Sequence, residues 1–226
     1  MKKILSLLFL LLFTCTIQAQ KDVTTFLGIP VDGYKSEMRK NLIAKGFKPV
    51  TGQEFLEGEF NGTDVHVYIA TNNNKVYRIM LCDANTQDEA DIKIRFNKLV
   101  SQFERNKRYV ALDKYTLSDD VNISYEMTVN NKNFDAIYYQ NINTEKVDST
   151  ALLNSVKEEL LTKYTKEQLE NPTEDIKSDM VMTTMKAGLD LIEKKPVWFR
   201  ISRYLSKYYI TMFYDNEYNH ADGEDL

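Results

Sequence analysis

Val65-His66-Val67-Tyr68-Ile69-Ala70-Thr71-Asn72-Asn73-Asn74-Lys75-Val76-Tyr77-Arg78-Ile79-Met80-Leu81-Cys82 reads as two strands around a turn. Val65, Val67 and Ile69 alternate with His66, Tyr68 and Ala70, the period of a half-buried strand. Asn72 to Asn74 mark the turn, because asparagine tolerates positive φ. Pairing Thr71 with Lys75 puts Tyr77, Ile79 and Leu81 on the face of Val65, Val67 and Ile69. A slip of one residue would put Arg78 there instead, so the first register is expected. In it, His66 and Cys82 project from the other face as diagonal neighbours.

The surrounding segments extend this hairpin into an antiparallel sheet with helices. Phe55 to Phe60 reads as a short strand. Lys35 to Lys45 reads as a helix with Met38 and Leu42 on its apolar stripe and Gly46 as its left-handed stop. Phe47 would fold back onto that stripe. Thr86-Gln87-Asp88-Glu89 fits a capping box opening a helix to about Asn106, with Ile92, Phe96, Leu99 and Phe103 along one face. Val121 to Val129 and Phe134 to Gln140 read as a second hairpin around Asn130-Asn131. Ser149 would cap a helix through Lys163, and Asn171-Pro172-Thr173-Glu174 starts another, with proline at its first position and Pro196 beyond its end. Val197 to Arg203 and Tyr208 to Tyr214 form a third, aromatic hairpin. Strands and helices thus come in blocks, which predicts an α+β fold: an antiparallel sheet built from hairpins with helices packed on one face. Residues 20–218 are expected to form a single compact domain, with two similar lobes, 20–118 and 119–218, as the alternative. Residues 219–226 read as a flexible acidic tail.

Residues 1–19 read as a secretory signal peptide. Met1-Lys2-Lys3 is a positive head, Ile4 to Phe13 an apolar run, and Ala19 closes a cleavage site. The mature chain would begin near Gln20 and work in the periplasm or as a secreted protein. Cys15, after Leu12-Phe13-Thr14, is the alternative, lipid-anchored N-terminus. Without the signal, Cys82 is the one cysteine left, so no internal disulfide can form. Losing Lys2 and Lys3 leaves 27 Lys and Arg against 33 Asp and Glu, a net charge of about −6. That balance, and the lack of a long basic block, argues against nucleic acid. Arg105-Asn106-Lys107-Arg108 fits a helix end, where cations complement the dipole. No later run approaches the length of a membrane span.

Chemistry-bearing groups are sparse. Cys82 beside His66 is the candidate nucleophile–base pair, with no evident third group. His220 falls in the tail. Asp215-Asn216-Glu217 and Asp222-Gly223-Glu224-Asp225 supply carboxylates, but the sixth position of a calcium loop counted from Asp215 would be His220, so no metal site is expected. No glycine-rich phosphate cradle or nucleophile elbow occurs, and no cofactor is expected. Aromatic residues are dense around the last hairpin: Trp198, Phe199, Tyr204, Tyr208, Tyr209, Phe213, Tyr214 and Tyr218. Alternation turns some of these away from the core, and Trp198, Tyr209 and Phe213 are the candidate contact residues. Cross-strand stacking is the competing role.

Gly28-Ile29-Pro30-Val31-Asp32-Gly33 leading to Ser36-Glu37-Met38, Lys45-Gly46-Phe47, and Tyr214-Asp215-Asn216 with the end Gly223-Glu224-Asp225-Leu226 resemble a group of small uncharacterised exported proteins of Bacteroidetes. Asp148-Ser149-Thr150 resembles the short O-glycosylation acceptor motif of secreted proteins from that phylum. At fold level, an early helix followed by an antiparallel sheet is similar to the β-lactamase-inhibitor-protein and SmpA/OmlA outer-membrane-lipoprotein modules. Those resemblances imply a protein-binding module. The expectation is an exported, non-catalytic interaction protein whose partner is another protein or a glycan of the envelope. The alternative is a hydrolase or transferase using Cys82, His66 or scattered carboxylates.

Overall fold

A computed structural model describes residues 21–220. The signal reading, Cys15 and the acidic end 221–226 lie outside the described residues. The chain forms an α+β structure of two compact units. One comprises residues 23–141 and 188–220, the other residues 21–22 and 142–187. Position 118 therefore lies inside a unit, not between lobes 20–118 and 119–218. The residues on either side of it feed the same sheet.

The larger unit holds ten strands: β1 (Thr25–Phe26), β2 (Ile29–Pro30), β3 (Lys48–Pro49), β4 (Leu56–Phe60), β5 (Thr63–Asn72), β6 (Lys75–Asp83), β7 (Tyr109–Ala111), β8 (Asp135–Gln140), β9 (Pro196–Tyr204) and β10 (Lys207–Asp215). β1 and β2 form a small hairpin, and the other eight make one antiparallel sheet in the order β3-β4-β5-β6-β10-β9-β8-β7. The last strand, β10, enters the middle of the sheet between β6 and β9. Helices α1 (Lys35–Ala44), α2 (Glu89–Arg105) and α3 (Ile123–Val129) belong to this unit. Met38, Leu42, Ile92, Phe96, Leu99 and Ile123 from them join Val67, Ile79, Phe199, Ile210 and Met212 of the sheet in one core.

The ends of the helices follow from their flanking residues. Gly46 at φ 103° closes α1, Phe47 donates its N–H to the Leu42 carbonyl, and its ring is buried, as expected. For α2 the cap is Asp88, whose carboxylate accepts from Asp91 N–H at 3.0 Å. Thr86 does not serve because Gln87 is held extended by Tyr208, each backbone N–H bonding the other's carbonyl at 2.7 and 2.9 Å. At the other end of α2, Arg105 donates to the Ser101 carbonyl at 3.0 Å, the helix-end role expected for that basic run.

The central hairpin keeps the expected apolar face by a different route. Asn73 and Asn74, at φ 45° and 61°, make a two-residue turn that pairs Asn72 with Lys75. Unbroken, that register would bring Arg78 to the core face. Between Ala70 and Thr71 the register shifts, leaving Tyr77 as the extra residue of a bulge. Beyond it Ile69 pairs with Ile79 and Val67 with Leu81, while Val76 takes the core position expected for Tyr77.

The expected second hairpin is the main correction. Ile123 to Val129 is helix α3, not a strand. Val121, Ile123, Tyr125, Met127 and Val129 alternate like a strand, but the Asn122 side chain caps Tyr125 N–H at 2.8 Å and Glu89 accepts from Ile123 N–H at 2.7 Å. These two acceptors satisfy a helix start. β8 pairs instead with β9 and with β7, a three-residue strand without a sequence signal of its own.

The smaller unit holds α4 (Ser149–Lys163), α5 (Lys166–Glu170) and the first part of α6 (Glu174–Glu193). Val156, Leu160, Ile176 and Thr183 are buried. Asp148, one residue before Ser149, caps α4 by accepting from Thr150 and Ala151 N–H, each at 3.0 Å. Thr173, not Pro172, stands at the start of α6, since its carbonyl accepts from Lys177 N–H at 2.9 Å.

Candidate functional site

The sheet face opposite the helices carries an aromatic and charged cluster built by strict alternation. On β9, Trp198 and Arg200 point outward; on β10, Tyr209, Thr211, Phe213 and Asp215 do; on β6, Arg78, Met80 and Cys82; on β8, Asp135, Ile137 and Tyr139. Trp198 and Phe213 are direct cross-strand partners, and their rings stack at 3.9 Å and 17°. Arg200 lies 5.1 Å from the Trp198 ring and Arg78 4.8 Å from the Phe213 ring. Carboxylates pin both guanidinium groups in a two-pronged grip. Arg200 donates to Asp135 at 2.8 and 3.2 Å, and Arg78 to Asp215 at 2.6 and 2.8 Å. Asp215 also accepts from the Trp198 indole N–H at 2.8 Å. The Asp215 bond raises the pKa of Arg78 further, although burial opposes it.

Beside this cluster lies a cleft of about 630 Å³ bordered by Ile137, Tyr139, Glu193, Lys194, Trp198 and Glu217. Burial, with Glu193 and Glu217 nearby, pushes the Tyr139 hydroxyl above its ordinary pKa. Neither glutamate forms an ion pair among the described residues. With Asp135 and Asp215 neutralised by arginines, the cleft keeps a negative bias.

Of the three candidate contact residues, Trp198 borders this cleft, Tyr209 is half-buried on the same sheet face, and Phe213 is buried, 8% exposed, behind the tryptophan. Phe213 therefore supports the surface and does not form it. Sequence reading missed Arg78, Asp215, Arg200 and Asp135. Arg78 figured as a residue to keep off the core, and Asp215 as part of an acidic end. The signal was there in the two-residue spacing of Trp198 with Arg200 and of Phe213 with Asp215.

Cys82 and His66 pair directly across β5 and β6, closer than the diagonal placement expected. The imidazole packs against the Phe55 ring, centroids 4.3 Å apart and tilted by 31°. Burial raises the pKa of the Cys82 thiol, partly offset by its hydrogen bond with Thr211. Burial thus favours the protonated thiol over the thiolate. The hollow beside His66, about 450 Å³, is bordered by Lys48, Glu57, Asp64 and Asn85, and Cys82 does not line it. His220 is not loose: its ring meets Tyr77 edge-on at 4.9 Å, and neighbouring Asn219 donates to Asp32 and to the Val76 carbonyl, each at 2.8 Å. Among the described residues no group of three or more His, Cys, Asp or Glu could hold a metal ion, and no helix is long and apolar enough to cross a membrane. The chain matches no family model, no curated protein and no solved structure.

Proposed function

We propose that this chain is an exported, non-catalytic interaction protein of a bacterial envelope that grips a partner protein through the Trp198 cleft. The observation that carries this reading is the pre-ordered stack of Arg200, Trp198, Phe213 and Arg78, each arginine held by a carboxylate. Tryptophan, tyrosine and arginine dominate protein contact surfaces, and side chains already fixed lose little entropy on binding. A protein partner fits better than a glycan because a sugar needs an open aromatic face. Here Phe213 covers one face of Trp198 and Arg200 stacks on the indole. Glu193 and Glu217 favour a partner segment that brings basic side chains. The signal-like residues 1–19 and the Bacteroidetes-like segments support an exported location, periplasmic or secreted, in that phylum.

The test is capture of a partner from native envelope by the wild-type chain and by Trp198→Ala, Tyr209→Ala and Glu193→Lys/Glu217→Lys. Trp198→Ala and the charge reversal should each weaken capture about tenfold or more, and Tyr209→Ala less. Capture indifferent to Trp198 and to both glutamates would refute this placement. Mass measurement of the native N-terminus tests export: Gln20 is expected, and a lipid-bearing Cys15 would correct the anchoring.

A further inference from the structure

A second concavity opens on the helix-covered side of the same unit, where α1 and α2 end. Its volume is about 610 Å³, and its floor is aromatic: Phe47, Phe60, Phe103, Tyr109 and Tyr214. Phe103 and Tyr109 meet edge to face at 4.7 Å. Phe60 and Tyr109 are only half-buried, and the Arg108 guanidinium stands 6.0 Å from the Tyr109 ring. Beneath them the polar groups are mutually satisfied. The Gln140 amide bonds the Thr25 carbonyl at 2.7 Å and the Tyr109 hydroxyl at 3.4 Å, and accepts from Thr25 N–H at 2.8 Å. On the rim, Asn61 and Gln102 bond each other through their side-chain amides.

The charged side chains of this rim are Lys45, Arg108 and Glu59. None of the three forms an ion pair among the described residues. The balance of two cations against one carboxylate fits an anion, and a single negative charge better than two. At the lip stands Leu27, 42% exposed and left-handed at φ 51°. A left-handed leucine is strained, because its Cβ crowds the following carbonyl oxygen. Leu205, at φ 55° on the tip of the β9–β10 hairpin, has the same backbone geometry, so strain alone does not mark a site. Leu27 differs in lining a hollow of ligand size with an aromatic floor.

We propose that this hollow binds a small amphipathic monocarboxylate. Its flat apolar body lies over Phe60 and Tyr109 under the edge of Leu27, and its carboxylate meets Arg108 and Lys45. The guanidinium fork suits a carboxylate, and aromatic rings suit a planar body. The site is separate from the Trp198 cleft and does not depend on it.

The purified protein is titrated by two-dimensional NMR with 2-naphthoate, its neutral counterpart 2-naphthamide, and decanoate. Saturable binding of 2-naphthoate is expected, with shifts concentrated at Leu27, Phe60 and Tyr109. The Lys45→Ala/Arg108→Ala variant should bind it about tenfold more weakly, yet bind the amide as the wild type does. Both residues are exposed and make no ion pair among the described residues, so the thermal melt should not move. The proposal is overturned if millimolar 2-naphthoate leaves the hollow unshifted, if the amide binds as tightly as the acid, or if the double variant retains full affinity. Tighter binding of decanoate would overturn the planar body, and shifts confined to the Trp198 cleft would overturn the site.

Discussion

Replacing Arg78 with methionine tests the ordering of the outer sheet face. Methionine keeps an aliphatic stem over Phe213 but removes two charge-assisted bonds to Asp215, at 2.6 and 2.8 Å. The Asp215 side chain is 3% exposed, so its charge is left with the Trp198 indole as its remaining side-chain donor. Breaking one side of a buried pair costs about 3–5 kcal/mol. Arg78 is 25% exposed, which admits some water, so the lower end, about 3 kcal/mol, is expected. With a urea slope near 2 kcal/mol per molar, the midpoint falls by about 1.5 M. Trp198 is the single tryptophan of the chain and bonds Asp215 directly, so its emission reports this unit. Adding Asp215→Asn removes the buried charge and should restore about half of the loss. A midpoint drop below about 0.3 M for Arg78→Met, or no recovery in the double variant, would refute the reasoning.

Gly58→Ala would place a Cβ 2.6 Å from the buried Phe47 ring, and thermal unfolding should register a loss of about 1–3 kcal/mol. Deleting Tyr77 removes the extra residue and leaves Arg78 opposite Ala70 and Ile79 opposite Ile69, so the core face is kept; a native near-ultraviolet dichroism spectrum is expected, and insoluble or molten protein would contradict the register. Burial holds the hydroxyls of Tyr138 and Tyr214 protonated well above their ordinary value of 10.0. The stability these two groups contribute is complete below that value and is lost as pH rises above it, because the unfolded tyrosines release their protons first. A urea midpoint that stays level above pH 10.0 would disprove that linkage.

The apolar alternation of Val65, Val67, Ile69, Ile79 and Leu81 was legible because burial on one face leaves a period of two. The α2 stripe was legible for the same kind of reason. The two-residue turn with its compensating bulge was not, since three consecutive asparagines allow several turns and only the sheet selects among them. Helix α3 was hidden because its alternating residues mimic a strand while Glu89, 34 positions away, completes its cap. The site was half legible. Alternation identified Trp198, but stacking buried Phe213, and the arginine–aspartate clamps join residues as far as 137 positions apart. Two segments far apart in sequence also meet: Asn216 donates to the Val31 carbonyl at 2.7 Å, and Thr24 donates to the Asp215 carbonyl.

The most direct test is a photo-reactive residue at Ile137, 37% exposed on the border of the Trp198 cleft. Irradiated in the native envelope, it should give one saturable protein adduct, lost on adding Trp198→Ala and absent when the probe sits at exposed Asp113. An adduct that survives Trp198→Ala, or one that forms equally at Asp113, would contradict a partner seated in this cleft.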